Sequence, residues 1–213
     1  MKKFVFLCAL ALIAGGCSQK PAANTPSTTA ATPKPAASTT TASTTTKTEK
    51  KAPSTNPVPA DWVRLYDDVK GYEFMVPQGT KDAQDTKDGV DVYLATVPAP
   101  YDIGAMVVAF KDKTLSKEDL LERAQNVLKT FGAKDIKLEP AKELSDDYSL
   151  VTFTCTGKDG NADKGKILVA TDVTDNYIMF LDAVASKFDA NEKTIDEIWG
   201  SFAMYSGGSS GNS

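Results

Sequence analysis

A long N-terminal segment lacks the residues that build a hydrophobic core, and it confines any folded domain to the rest of the chain. Residues 18–60 are almost wholly Thr, Ala, Pro and Ser, with scattered lysines and no aromatic residue before Trp62. Such a composition buries too little apolar surface to offset the entropy lost when a chain is ordered. We therefore predict a disordered tether over residues 17–60, one domain of ordinary size over residues 61–205, and a flexible Gly/Ser-rich tail over residues 206–213.

The first sixteen residues have the pattern of an export signal. Two lysines precede an uncharged run, Phe4 to Ala14, that is shorter than the roughly 20 apolar residues a membrane-spanning helix needs. The run ends in Leu-Ile-Ala-Gly-Gly-Cys at residues 12–17, which resembles the lipobox of bacterial lipoproteins. The resemblance implies that residues 1–16 are a signal peptide. It also implies that Cys17 becomes the mature N-terminus, carrying a diacylglycerol thioether and a fatty acyl chain such as palmitate.

The same resemblance implies an address in the cell envelope. Two or more acyl chains hold a protein stably on a membrane, so the anchor would be a stable one. Ser18 follows the cysteine, and the sorting rule of Gram-negative lipoproteins then implies the periplasmic face of the outer membrane. In a host without an outer membrane, the outer face of the cytoplasmic membrane is implied. The alternative is an ordinary secretory signal that happens to contain a cysteine.

The tether admits more than one interpretation. We favour a simple spacer that projects the domain from the membrane. Its threonines could instead carry O-linked sugars, as in mucin-like stalks, and its lysines could contact anionic lipid or cell wall.

Charge and residue usage exclude several classes of function. The chain has a formal charge of −4, and its first 60 residues contain seven lysines and one glutamate, so residues 61–213 carry about −10. An acidic domain repels phosphate, which argues against a nucleic-acid partner. The sequence contains no histidine, which excludes Ser-His-Asp catalysis and histidine-based metal sites.

The domain contains a single cysteine, Cys155, because Cys8 leaves with the signal peptide and Cys17 is the expected lipid carrier. An internal disulfide is therefore excluded for the mature domain. Cys155 shares one face of an alternating strand with Val151 and Phe153, so we interpret it as a small buried hydrophobic residue.

The hydrophobic pattern predicts an α+β domain. Ser116 can cap a helix that continues through apolar residues at helical spacing and stops at Gly132, and a second helix is predicted to open at Asp189. Residues 81–89 are polar and are predicted to be an exposed connection. Because runs of strands are interrupted by only two helices, we expect a mostly antiparallel sheet. The predicted strands are 62–66, 72–76, 90–97, 105–110, 136–144, 148–156, 165–171 and 177–185.

The order of elements resembles the PsbP-like superfamily. The residues that carry the likeness are Gly-Tyr-Glu-Phe-Met-Val-Pro at 71–77, the helix start at 115–116, and Ile-Asp-Glu-Ile-Trp-Gly-Ser-Phe at 195–202. This superfamily includes the photosystem II protein PsbP, bacterial lipoproteins of the DcrB and LpqN type, and a nuclear Ran-binding factor. The resemblance implies an α/β/α sandwich with helices on both sheet faces. The matching residues are core and capping positions, so the resemblance provides no catalytic residues, and the members of the superfamily bind unrelated partners.

One acidic stretch weakly resembles part of a calcium-binding loop. Asp159, Asn161 and Asp163 place oxygen side chains at alternate positions. Lys164 stands where such loops need glycine, and Ala170 stands where they need a bidentate glutamate. The alternative, which we favour, is a hairpin turn that uses these residues for its geometry. The same holds for the aspartates that recur every third residue from Asp82 to Asp91.

These observations lead to one functional expectation and one alternative. We expect a lipid-anchored, monomeric interaction module of the cell envelope, without enzymatic activity or cofactor, that binds a protein or another envelope component. The alternative is an envelope protein that binds a small ligand or a cation, with calcium at the acidic loop as the candidate.

Overall fold

The computed structural model describes residues 48–49, 52–53, 57–111 and 113–206. These ranges contain twelve strands and two helices. The strands are β1 (Thr48–Glu49), β2 (Val63–Asp67), β3 (Tyr72–Val76), β4 (Lys81–Lys87), β5 (Val90–Val97), β6 (Ile103–Phe110), β7 (Lys134–Leu138), β8 (Lys142–Glu143), β9 (Tyr148–Thr156), β10 (Ala162–Thr171), β11 (Asn176–Val184) and β12 (Ala203–Ser206). The helices are α1 (Lys117–Thr130) and α2 (Ala185–Gly200).

The strands form one large and one small sheet, and every pairing is antiparallel. The large sheet has the order β4-β5-β6-β11-β10-β9-β7, with β8 also paired to β9. Its centre is the predicted meander β9-β10-β11, in which Ile167 of β10 lies opposite both Val151 and Phe180. The small sheet has the order β1-β12-β3-β2. The predicted α+β class with a mostly antiparallel sheet is confirmed.

Two hydrophobic clusters lie on opposite faces of the large sheet. Ile167 and Val169 belong to the cluster that includes α1, whereas Leu168 and Ala170 belong to the cluster that includes α2 and the small sheet. This alternation follows from the two-residue period of a strand. The domain therefore has three layers, with a helix on each face of the large sheet, as the resemblance to the PsbP-like superfamily implied.

Helix α1 begins where the sequence predicted. The Ser116 side chain accepts a hydrogen bond from the Asp119 amide at 3.1 Å, and the Asp119 carboxylate accepts one from the Ser116 amide at 3.0 Å. This reciprocal pair is a capping box, which satisfies amide groups that have no partner within the helix. Gly132 follows the helix with φ +94°, a conformation that glycine adopts without strain. The buried residues of α1 are Leu120, Ala124, Val127 and Leu128.

Helix α2 begins four residues earlier than predicted. It starts at Ala185, directly after β11, and its N-cap residue Val184 makes no side-chain capping bond. Asp189, the predicted first residue, lies within the helix and forms an ion pair with Lys164. A strand that continues directly into a helix leaves no turn residues to mark the boundary, which explains the error.

The predicted connection at residues 81–89 is mostly strand. Residues Lys81–Lys87 form β4, the exposed edge of the large sheet. Both faces of most of this strand are solvated, so it has no apolar alternation to reveal it. Polar and charged side chains are typical of such edges, because they discourage pairing with other chains.

The segment predicted as a tether contains one short strand. Thr48 and Glu49 pair with Ser206 and Tyr205 at the edge of the small sheet. Two residues are too few to give a periodic signal in the sequence. The predicted signal peptide, Cys17 and most of the predicted tail lie outside the described residues.

Candidate functional site

The loop singled out in the sequence forms the turn between β9 and β10. The backbone amide of Asn161 donates a hydrogen bond to Asp159 Oδ1 at 3.0 Å, and the Asn161 side-chain amide donates to Asp159 Oδ2. The Gly160 amide donates to the Gly157 carbonyl at 2.9 Å, and Gly160 has φ +83°. Asp159 and Asn161 are thus brought together, and they shape the turn.

Asp163 is not an exposed turn residue, contrary to the interpretation that we favoured. It lies in β10 opposite Cys155, its residue is only 2% exposed, and its Oδ2 atom has no hydrogen-bond partner among the described residues. A Cβ atom at Gly157 would lie 2.3 Å from this oxygen and 3.1 Å from Asp159 Oδ1. A side chain at residue 157 would therefore displace the Asp163 carboxyl, and glycine leaves room for both carboxyls.

A second buried carboxyl, Asp182, was missed in the sequence. It lies in β11 between Gly165 of β10 and Gly104 of β6, is 1% exposed, and neither of its oxygens has a hydrogen-bond partner among the described residues. The sequence did contain a signal, because Asp182 is the one charged residue in the strand Asn176–Val184, which is otherwise apolar or aromatic after Asn176. Such residues are almost never fully buried unless they are paired.

The environment of the two carboxyls favours their protonated forms. Burial, together with the smaller effect of the nearby charge of Asp159, raises the pKa of Asp163 to about 6. Burial also raises the pKa of Asp182 well above its ordinary value, and the charge of Asp163 adds to this effect. We refer to Asp163 and Asp182 as the buried carboxyl pair.

The calcium alternative gains no support from this arrangement. In the part of the chain that the structure describes, no group of three or more Cys, Asp or Glu side chains is arranged to hold a metal ion. Asp159 and Asn161 bind each other, whereas Asp163 faces the interior.

Cys155 is the buried residue that the strand pattern predicted. It is 6% exposed and carries a free thiol. Burial raises the pKa of this thiol to about 12, and the charges of Asp163 and Asp182 contribute in the same direction. Because the thiolate is the reactive form, Cys155 is unsuited to nucleophilic or redox chemistry at neutral pH.

A different kind of site lies on the outer face of the small sheet. The Arg64 guanidinium of β2 donates to Glu73 of β3 and, at 3.1 Å, to the hydroxyl of Tyr205 in β12. It also lies 4.7 Å from the centre of the Tyr66 ring, within range of a cation–π contact. Three strands therefore hold one arginine in place. We call Arg64, Tyr66, Glu73 and Tyr205 the Arg64 patch.

The Arg64 patch is open to solvent and borders a groove. Tyr66 is 50% exposed, and strand β2 pairs with β3 on one side and with no other described strand. Arg64 and Tyr66 line a surface cavity of about 430 Å³ together with Asp82, Gln84 and Tyr93 of the neighbouring β4 and β5. The Tyr93 hydroxyl donates to Asp82 at 2.5 Å. An exposed aromatic ring beside a fixed arginine is a common composition of protein-binding surfaces.

Comparisons with known proteins identify the fold. No protein-family model matches the chain, and no curated protein sequence matches it. The solution structure of the cyanobacterial PsbP protein (CyanoP) from Synechocystis sp. PCC 6803 matches with a TM-score of 0.50 and 21% identity, over 69% of this chain and 94% of that chain. The chain therefore has a PsbP-like fold, and at this identity the likeness concerns the fold alone.

Two further solved structures are similar at a lower level. The Ran-binding protein Mog1p of Saccharomyces cerevisiae has a TM-score of 0.48 and 10% identity, over 68% of this chain and 95% of that chain. LpqN of Mycobacterium tuberculosis, which is involved in cell envelope biogenesis, has a TM-score of 0.38 and 15% identity, over 78% of this chain and 88% of that chain. These scores are too low to establish more than a general likeness. Within the described residues, neither helix is long and apolar enough to cross a membrane.

Proposed function

We propose that the protein is a lipoprotein of the bacterial cell envelope, anchored through Cys17 and joined to its domain by the tether. The lipobox-like sequence at residues 12–17 supports this proposal. The anchor lies on the periplasmic face of the outer membrane in a Gram-negative host. In any other host it lies on the outer face of the cytoplasmic membrane.

The folded domain, in this proposal, is a monomeric and non-catalytic interaction module. The observation that carries it is the Arg64 patch, in which strands β2, β3 and β12 fix an arginine beside a half-exposed tyrosine. A side chain that is already held in its binding geometry loses less entropy when a partner binds. Tyr and Arg are also enriched among the residues that dominate binding energy at interfaces. The partner is a protein or another envelope component, and the acidic charge of the domain disfavours nucleic acid.

Affinity capture with matched arginine variants tests this function. Full-length tagged protein is expressed in its host and recovered from detergent-solubilised envelopes, as wild type, Arg64→Ala, Tyr66→Ala and Arg123→Ala. Arg123 is the control, because its guanidinium also lies over an aromatic ring, Phe110 at 5.4 Å, but on the α1 side of the domain. We expect the wild type and Arg123→Ala to retain the same partner. The two patch variants should lose it while their thermal unfolding remains cooperative.

Two outcomes would contradict this function. Equal recovery of the partner with all four proteins would exclude the Arg64 patch as the binding surface. Loss of the partner from Arg123→Ala but not from the patch variants would place the surface on the opposite layer.

A further inference from the structure

The buried carboxyl pair conflicts with a general rule of protein interiors. A buried polar group costs free energy unless it is hydrogen-bonded, and an ionised one costs far more unless it is also paired. Asp163 is 2% exposed and Asp182 is 1% exposed, and three of their four oxygens are buried without a hydrogen-bond partner among the described residues. The closed structure therefore favours the neutral carboxyls over the carboxylates.

Among the described residues, no element packed around the pair offers it a positive charge. The residues next to the pair are Cys155 of β9, Asp159 of the turn, Gly104 of β6 and Gly165 of β10. The residues of α1 that are buried on this face are apolar. Three charged groups nearby are engaged elsewhere or lie in solvent. Lys164 pairs with Asp189, Lys158 is exposed beside Gly132, and Asp135 is exposed and accepts a hydrogen bond from Thr156.

Within this region, the turn between β9 and β10 can open at the lowest cost in free energy. Residues 158–162 are all exposed, whereas Gly157 and Asp163 at the two ends of the turn are buried. Two backbone hydrogen bonds close the turn. The Gly157 amide donates to the Asn161 carbonyl at 2.8 Å, and the Gly160 amide donates to the Gly157 carbonyl at 2.9 Å. Segments with few buried contacts open at lower free energy than the core does. Opening at this point would bring water to Asp163 first.

We propose that the turn end of the β9–β10 hairpin is a pH-sensitive closure. It is closed while the buried carboxyl pair is protonated, and it opens to hydrate Asp163 when that carboxyl ionises. In acid, the turn packs against the end of α1, where Lys158 lies beside Gly132. Towards neutral and alkaline pH, the open form of the turn end becomes more populated, while the rest of the large sheet stays paired.

Hydrogen exchange of the backbone amides tests this proposal. Exchange is measured by mass spectrometry at about pH 5 and about pH 8 and corrected for the intrinsic effect of pH on exchange, with β6 as an internal reference. The pKa of Asp163 is about 6 when closed, and an open turn would return it towards its ordinary value of 3.8. Linkage then predicts that protection of residues 155–163, relative to β6, falls about tenfold between the two pH values.

Neutral variants make the test specific. Asp163→Asn, alone and combined with Asp182→Asn, should keep the same relative protection at both pH values. Asp88→Asn is the control, because Asp88 is an exposed residue in another hairpin turn, that between β4 and β5, and this variant should behave as the wild type does. If Asp182→Asn prevents folding, the single variant Asp163→Asn still tests the proposed closure.

Three results would overturn the closure. One is a wild type whose relative protection is the same at both pH values. Another is Asp163→Asn losing protection as the wild type does. The third is protection that rises on addition of calcium chloride in the wild type but not in Asp163→Asn, which would assign the carboxyls to a cation instead of a proton.

Discussion

At the scale of single residues, the buried carboxyl pair makes the stability of the whole domain depend on pH. Asp163 has a folded pKa of about 6 and an ordinary value of 3.8. Between these two values the folded chain holds a proton that the unfolded chain has released. The folded state thus binds more protons, and the free energy of unfolding must fall as the pH rises through this interval.

Asp163→Asn should remove this dependence on pH. One pKa unit corresponds to about 1.4 kcal/mol, so we expect the wild type to lose about 2 kcal/mol relative to Asp163→Asn between about pH 4 and pH 8. Urea unfolding of both proteins across this range measures the difference, with Asp88→Asn as the control. Parallel curves for the wild type and Asp163→Asn would show that Asp163 is not buried in its neutral form.

Sequence reasoning could place the candidate site residues on the chain but not in space. Asp159, Asn161 and Asp163 were recognised as a group, because oxygen side chains at alternate positions form a local pattern. Asp163 lies close to Gly157 at the other end of the turn, and Asp182 lies opposite Gly104 and Gly165 in the neighbouring strands. Contacts of this kind depend on how the strands pair in space, so no local pattern of residue types records them. The Arg64 patch, which joins β2, β3 and β12, escaped notice for the same reason.

At the scale of elements, the closing segment of the core is anchored by Phe202 more than by Trp199. Phe202 follows α2, is fully buried, and stacks on Tyr72 with ring centres 5.8 Å apart. Its ring also meets the edge of Tyr177 at 5.8 Å. Trp199 is only partly buried, and its indole N–H donates to Asp196 at 2.7 Å.

The loss of stability on truncating a side chain in either helix layer should therefore increase with the burial of that side chain. Leu128→Ala removes a fully buried side chain of α1 and should cost about 2–5 kcal/mol, and Phe202→Ala should cost about 3–5 kcal/mol. Trp199→Ala and Leu121→Ala are the matched controls of lower burial, and each should cost less than its fully buried counterpart. Denaturant unfolding at one pH compares the four variants. A cost for Trp199→Ala equal to that for Phe202→Ala would contradict this account of the core.

The elements that the sequence predicted well are those with strong local signals. Helix α1 has a capping box, an apolar face and a terminal glycine, and the meander β9-β10-β11 has long apolar strands between turn residues. Strand β4 has no buried face, and no turn precedes α2, so neither element has a local signal in the sequence. The three-layer arrangement followed from the resemblance at residues 71–77 and 195–202.

At the scale of the whole molecule, the proposal combines a membrane anchor, a tether and an acidic domain with one preorganised surface. The Arg64 patch and strand β1 both belong to the small sheet, because β1 pairs with β12 next to Tyr205. The chain that leads to the proposed anchor thus joins the domain beside the proposed binding surface. An anchor at Cys17 would concentrate this surface near envelope partners, which raises their effective concentration.

The central claim is that the protein is a lipoprotein, and mass spectrometry of its mature N-terminus tests that claim most directly. We expect the N-terminal peptide to begin at Cys17 with the added mass of a diacylglycerol thioether and an N-acyl chain. Cys17→Ala should abolish the modification and release the protein from membranes, whereas Cys8→Ala, within the expected signal peptide, should leave both unchanged. An unmodified N-terminus, or cleavage at any other residue, would contradict the claim.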